Sequence, residues 1–399
     1  MTRTREAQQA ATGSDRTILF VAPRYHTNQT GWVAALQARG WSVEYWLVRR
    51  LRVRDARGVP VRTFRPLWIT RLTRLLFRTA GERVPNPLAV NRSLARLRPR
   101  LVVVRNPIEP FSLVIATVAR LRRIPVLFYT QFDLHQKPSL LRDGSRALFL
   151  WLYRVAWITP IRGDVSRYPR AHRFASFVPL VAPPVPAVRT WDSPSPGDPV
   201  RIICVAKLME RKRHLLLAQT VQRLRAAYNL RVDMVVALSD RRKGPLSAEL
   251  QDYVERNGLS ETIRFIPPMP HVDLMARYAD YDLYVLPSRD EGFSVSLLEA
   301  MAVGIPVVCS DTNGARDCVI HQETGCVFRS DDQDDLCAQI DWLIQDRARL
   351  ARIGTAARRR VSEVYSPDAF YSRLFAAARA RYPRWFPQGS VEFGTRDPF

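Results

Sequence analysis

Short apolar runs recur along the chain, separated by stretches whose apolar positions follow helical spacing. TILFVAP from Thr17 and WSVEYWLV from Trp41 read as strands, with LVVVR, PVLFYT, WITPI and FASFVPL after them. RYHTNQTGWVAALQARG, between the first two, predicts a loop and a helix that ends at Gly40. The same alternation restarts at RIICVAK and continues through RVDMVVAL, TIRFIPP, LYVLPS, PVVCS and GCVF, with helical patterns such as HLLLAQTVQRLRAAY between. Strand and helix in alternation predict α/β architecture with doubly wound parallel sheets. The break falls in Val181 to Pro199, which holds six prolines and no periodic pattern.

With 399 residues the chain exceeds one ordinary core and suits two domains of roughly 200 residues each. The expected division is a disordered polar tail over 1–16, a first Rossmann-like domain over 17–190, a linker over 191–199 and a second such domain over 200–365. A helix and tail over 366–399 are expected to pack back on the first domain. The opening residues lack the apolar core of a signal peptide, so a cytoplasmic location is expected. ALFLWLYRVAWITP from Ala147 is interrupted by Arg154 and predicts a buried helix running into a strand rather than a membrane span. The five cysteines lie in the second half without CxxC pairs, which points away from zinc and disulfides. After the first strand the loop holds Gly31 but no G-x-G-x-x-G, so a nicotinamide cofactor is not expected.

Charge is unevenly placed. Residues 1–200 carry 33 Lys plus Arg against 11 Asp plus Glu, a net +22 out of +24 for the chain. FRPLWITRLTRLLFR, Phe64 to Arg78, interleaves four arginines with apolar residues. It fits either a core helix with a solvated basic face or a peripheral contact with an anionic membrane surface.

The stretch with most chemistry is LYVLPSRDEGFSVSLLEAMAVGIPVVCS, Leu283 to Ser310. It predicts strand, loop, helix and strand, with the helix starting near Ser294 and closed by Gly304 and Pro306. The N-terminus of such a helix favours a phosphate, and Gly292 lets backbone approach a ligand. Glu291 and Glu299 flank that mouth. Each also has a plain alternative: a solvated loop charge for Glu291, and a capping box with Ser296 for Glu299.

EGFSVSLLE followed by AMAVGIPVV resembles the signature of retaining nucleotide-sugar glycosyltransferases of family 4 (glycosyl transferases group 1), two glutamates separated by seven residues. The resemblance implies the GT-B fold, two Rossmann-like doubly wound domains facing each other across a cleft. It also implies a UDP- or GDP-sugar donor and no cofactor. VAKLMERKRH, Val205 to His214, is similar to the family's G-R-L-x-x-x-K-G element, with Lys207 for the arginine, Lys212 for the lysine, and Ala206 and Arg213 for the glycines. On this resemblance Glu291, Lys212 and Lys207 are the catalytic candidates. Glu299, Gly292, Phe293, Ser294 and Val295 would bind the donor, with backbone near Ile266 and Pro267 holding the base and ALSDRRKG from Ala237 nearby.

In the first domain the family's glycine-rich turn and histidine correspond to Asn28 and Gly31 and to Gln131. Gln131 can bond a sugar hydroxyl but cannot act as a base. With Asp133 these are the acceptor-side candidates, and His135 and His26 lie close in sequence. Asp280-Tyr281-Asp282 and Asp332-Gln333-Asp334 imitate a D-x-D metal motif, but helix capping suits the second better, and no metal is inferred. The function implied is sugar transfer to a lipid-linked or envelope glycan, with the enzyme peripheral on the cytoplasmic face of a membrane. A basic nucleic-acid-binding protein, without a specific recognition motif, and a GT-B sugar phosphorylase are the alternatives.

Overall fold

The computed structural model describes residues 16–23, 27–48, 59–67, 84–172, 174–191, 197–236 and 244–387. His26, the ALSDRRKG segment to Lys243, and most of the Phe64 to Arg78 segment, including Trp68 and Phe77, lie outside them, as do residues 1–15. Two compact units result, one of residues 1–181 with 367–399 and one of residues 182–366.

The first unit is built on seven parallel strands: β1 (Thr17–Ala22), β2 (Ser42–Leu47), β3 (Val61–Thr63), β4 (Leu101–Arg105), β5 (Val126–Tyr129), β6 (Ala156–Thr159) and β7 (Ala175–Phe177). Their order is β3-β2-β1-β4-β5-β6-β7, so the winding reverses between β1 and β4. Every residue of β1, β4, β5 and β6 is buried, which is why these strands read as continuous apolar runs without alternation. The helices described here are α1 (Thr30–Gln37), α2 (Pro87–Leu97), α3 (Pro110–Leu121) and α4 (Leu140–Tyr153). On one face, Val90 and Leu94 of α2, Phe111 and Ile115 of α3 and Leu150 of α4 pack over Val102, Val104 and Phe128.

The helix expected to be buried at Ala147 is buried on one stripe only. Leu150 is covered, whereas Leu148, Trp151 and Leu152 are 56%, 61% and 62% exposed. An outer-layer helix has a single face against its sheet, and these three side chains fall on the other.

The second unit has strands β8 (Val200–Val205), β9 (Leu230–Val235), β10 (Ile263–Ile266), β11 (Leu283–Leu286), β12 (Val307–Ser310) and β13 (Cys326–Phe328), parallel and ordered β10-β9-β8-β11-β12-β13. Its helices are α5 (His214–Leu224), α6 (Gly244–Arg256), α7 (His271–Arg277), α8 (Val295–Val303), α9 (Asn313–Cys318), α10 (Gln333–Ile344) and α11 (Arg347–Val364). All five cysteines are free and buried, and burial pushes the Cys204 thiol up to about 12.

The crossing between units follows Val181, at the start of the proline-rich stretch and ahead of the linker expected over 191–199. Residues 182–190 belong to the second unit because Arg189 is anchored there. Its N–H donates to the Val303 carbonyl at 3.0 Å and its guanidinium to Asp282 at 2.7 Å. A final helix, α12 (Pro367–Arg381), belongs to the first unit: Phe370 stacks on Trp32 with ring centroids 5.0 Å apart, and the Tyr382 hydroxyl bonds the carbonyls of Val126 and Arg154. Among the described residues no helix is long and apolar enough to cross a membrane.

Candidate active site

In the second sheet the winding reverses between the neighbouring strands β8 and β11. The loops leaving their carboxyl ends therefore diverge and open a crevice, the usual ligand position in a doubly wound sheet. After β8 the chain makes a one-turn 3-10 helix, Glu210–Lys212, and Arg213 follows with φ +54°, the left-handed region. Glycine adopts this conformation most readily; here an arginine accepts it and pairs with Asp331. After β11 the loop 287–294 leads to α8, whose N-cap is Ser294, its hydroxyl accepting the Leu297 N–H at 3.3 Å.

Glu291 lies between the two loops. Its carboxylate receives the Lys212 ammonium in direct contact and Arg211 Nη1 at 3.2 Å. The Lys212 and Glu291 side chains are each 11% exposed, so Glu291 is not a solvated loop charge. The Arg289 N–H donates to the Arg211 carbonyl at 2.7 Å and ties one loop to the other.

Glu299 is buried one turn into α8, and the capping-box alternative is not what its carboxylate does. It accepts from His271 Nε2 at 2.7 Å and from the Tyr278 hydroxyl at 3.3 Å. Ser296 turns instead to the Val205 carbonyl and the Tyr284 hydroxyl. The hydrogen bond to Glu299 raises the His271 pKa above its ordinary 6.5, against the lowering effect of partial burial. Burial holds the Tyr278 hydroxyl well above 10, so it donates as a neutral group.

The other candidates fall around this pair. Lys207 is on the same loop as Lys212 but exposed, without a partner among the described residues. Gly292 is exposed, and a Cβ there would meet nothing. Phe293 is buried against Tyr365, ring centroids 6.1 Å apart, and Val295 opens α8. Ile266 ends β10 with its carbonyl accepting the Val236 N–H at 2.9 Å, and Pro267 is exposed beyond it. The aspartate pairs have structural partners: Asp282 accepts from Arg189 and from the Arg201 N–H, and Asp332 caps α10 through the Asp335 N–H at 2.9 Å.

In the first unit the acceptor-side candidates follow the carboxyl ends of β1 and β5. Asn28 is in the turn before α1. Gly31 passes so close to Val181 that a Cβ would lie 2.7 Å from its carbonyl oxygen. Gln131 accepts from Arg105 at 3.2 Å. Partial burial raises the Asp133 carboxyl pKa, and His135 Nδ1 is bonded at 2.8 Å to the Tyr168 carbonyl.

Three residues of the second-unit site are not singled out by the sequence reading: Arg211, His271 and Gly314. A Cβ on Gly314 would overlap the Gly292 carbonyl and lie 2.6 Å from Phe293 Cα, so this glycine lets α9 support the Glu291 loop. Arg211 sits in the basic run ERKRH, but no spacing distinguishes it from its neighbours.

Two doubly wound parallel sheets with this crevice are the GT-B fold. The structure aligns with a glycosyltransferase of Rickettsia africae at TM-score 0.70 and 14% identity, over 92% of this chain and 98% of that one. Residues 189–360 match the family described as glycosyl transferases group 1. Among similar proteins are a GDP-mannose-dependent alpha-(1-6)-phosphatidylinositol monomannoside mannosyltransferase of Mycolicibacterium smegmatis and the lipopolysaccharide core biosynthesis mannosyltransferase LpsB of Rhizobium meliloti. The first is 29% identical over 216 residues, 49% of this chain and 55% of that protein. The second is 32% identical over 141 residues, 34% of this chain and 40% of that protein. The chain thus spans about half the length of the curated relatives it matches.

Proposed function

We propose that this protein is a retaining glycosyltransferase that moves a sugar from a nucleoside-diphosphate sugar to a lipid-linked or envelope glycan. The observation that carries the reading is the convergence of Lys212 and Arg211 on Glu291 at the β8/β11 crevice of a group 1 domain. A departing nucleoside diphosphate gathers negative charge as the sugar leaves, and preorganised cations stabilise that charge. Lys212 and Arg211 supply them, exchanging Glu291 for the diphosphate, while the freed carboxylate of Glu291 holds the sugar. Glu299, oriented by His271 and Tyr278, bonds the ribose hydroxyls. With Gln131 unable to take a proton, the donor's own phosphate serves as base for the acceptor hydroxyl, and no metal or cofactor is required. Asn28, Gly31, Gln131 and Asp133 belong to the acceptor side.

The mannosyltransferase relatives make GDP-sugars the first donors to test, with UDP- and ADP-sugars beside them. A donor present at 100 times its dissociation constant should stabilise by about 2.7 kcal/mol, read as a thermal shift. Glu291→Ala and Lys212→Ala should each lower transfer at least about tenfold, or 1.4 kcal/mol, in protein that remains folded. Folded variants with full activity would remove both residues from the mechanism.

A further inference from the structure

We propose that the C-terminal ends of α3 and α4 form a docking surface for an anionic lipid bilayer. This deepens the reading of a lipid-linked acceptor but is independent of the donor-site assignments. Leu148, Trp151 and Leu152 are spaced to share one face of α4, and all three are more than half exposed. Leu121, the last residue of α3, is 80% exposed. The two helix ends are held side by side: Arg120 Nε donates to the Tyr153 carbonyl at 3.0 Å, and the Thr117 and Tyr153 hydroxyls are 3.2 Å apart. Large apolar side chains clustered on a surface mark a contact with another apolar phase.

Charge decides which phase. Arg122, Arg123 and Arg154 are exposed at these same helix ends, on the edge of the sheet where β5 and β6 begin. Arg100, held through its guanidinium to the Trp385 carbonyl, and Tyr382, bonded to Val126 and Arg154, bring further basic and aromatic chain to that edge. No described carboxylate of the unit stands unpaired at this edge. Glu109, Asp133, Asp143 and Asp164 all follow the carboxyl ends of strands, at the opposite edge, and Glu44 and Asp368 are paired with Arg62 and Arg39. An edge with arginines, leucines and a tryptophan and, among the described residues, no unpaired carboxylate matches a bilayer with anionic headgroups: the indole and leucines enter the acyl boundary while the guanidiniums meet phosphate. Nucleic acid offers the phosphate but no apolar phase for Leu121, Leu148 and Leu152.

The test is co-sedimentation of the full chain with phosphatidylcholine vesicles, with and without phosphatidylglycerol. Binding is expected only with phosphatidylglycerol and should weaken with salt. The variant Leu121→Ser, Trp151→Ala, Leu152→Ser should bind these vesicles at least about tenfold more weakly while keeping its melting temperature and its thermal response to GDP or UDP. Trp151→Phe should bind normally yet lose part of the fluorescence quenching by brominated lipid. That readout survives even where the triple variant melts early. Undiminished binding of a folded triple variant, equal binding to neutral vesicles, or unchanged quenching in Trp151→Phe would each overturn the proposal. So would loss on Arg122→Gln with Arg123→Gln alongside unaffected apolar variants, which assigns the edge to polyanions in general. None of these results bears on sugar transfer.

Discussion

Glu299 shows how much of a residue's role depends on partners the sequence does not mark. Its position in the motif places it one turn into a helix at a crevice, yet that position is compatible with a cap as well as with a ligand contact. His271, 28 residues earlier in the chain, and Tyr278 decide between them by taking up the carboxylate. The contact has a pH signature. Because the folded-state pKa of His271 is raised above 6.5, its contribution to stability is fully present below 6.5 and is lost as pH rises through the raised value. The melting-temperature difference between the natural protein and His271→Ala should therefore be largest below pH 6.5 and shrink as pH climbs. A difference constant across that interval would show that the imidazole does not titrate with the fold. Arg211 is the other case at this scale, a guanidinium 3.2 Å from Glu291 that looks like any surface arginine until the chain is folded.

Among elements, the loops after β8 and β11 carry the site and are held by packing rather than by their own propensity. Arg213 adopts a left-handed conformation, the backbone region that glycine enters most readily, and the contact across the crevice, Lys212 to Glu291, joins residues 79 apart. The support from α9 is steric. Gly314→Ala would drive a methyl group into the backbone of Gly292 and Phe293, and such overpacking typically costs about 1–3 kcal/mol. We expect this variant to unfold at lower denaturant and to lose at least about tenfold in donor affinity, because Glu291 moves with its loop. Unchanged stability and donor binding would mean that the loop yields freely and that α9 does not position it.

For the whole molecule, the chain folds its last helix into the unit where it began. Phe370 is fully buried and stacked on Trp32, itself fully buried beside Tyr129. Truncating such a ring costs about 3–5 kcal/mol. Phe370→Ala should accordingly lower the melting transition of the first unit while the thermal response of the second to nucleotide persists. Loss of both together would show that the units unfold as one. Charge is also organised at this scale: nearly all of the excess lies in residues 1–200, and the exposed Arg122, Arg123 and Arg154 gather where β5 and β6 begin.

The sequence by itself determined the alternation of strand and helix, the count of two sheets and the place of the glutamate pair. Apolar runs such as LVVVR record burial of each strand against its immediate neighbours, and that burial repeats locally. The motif likewise lies within one loop and the helix it enters. Tertiary structure decided the rest. Strand order brings the β8 and β11 loops together, so Arg211, His271 and Gly314 reach the glutamates across separations that no periodicity encodes. The crossing at Val181 depends on where Arg189 finds Asp282, and prolines alone do not report that. Likewise, an apolar pattern says that α4 has leucines and a tryptophan on more than one face, but only packing on the sheet selects which face is covered and which remains open at the surface.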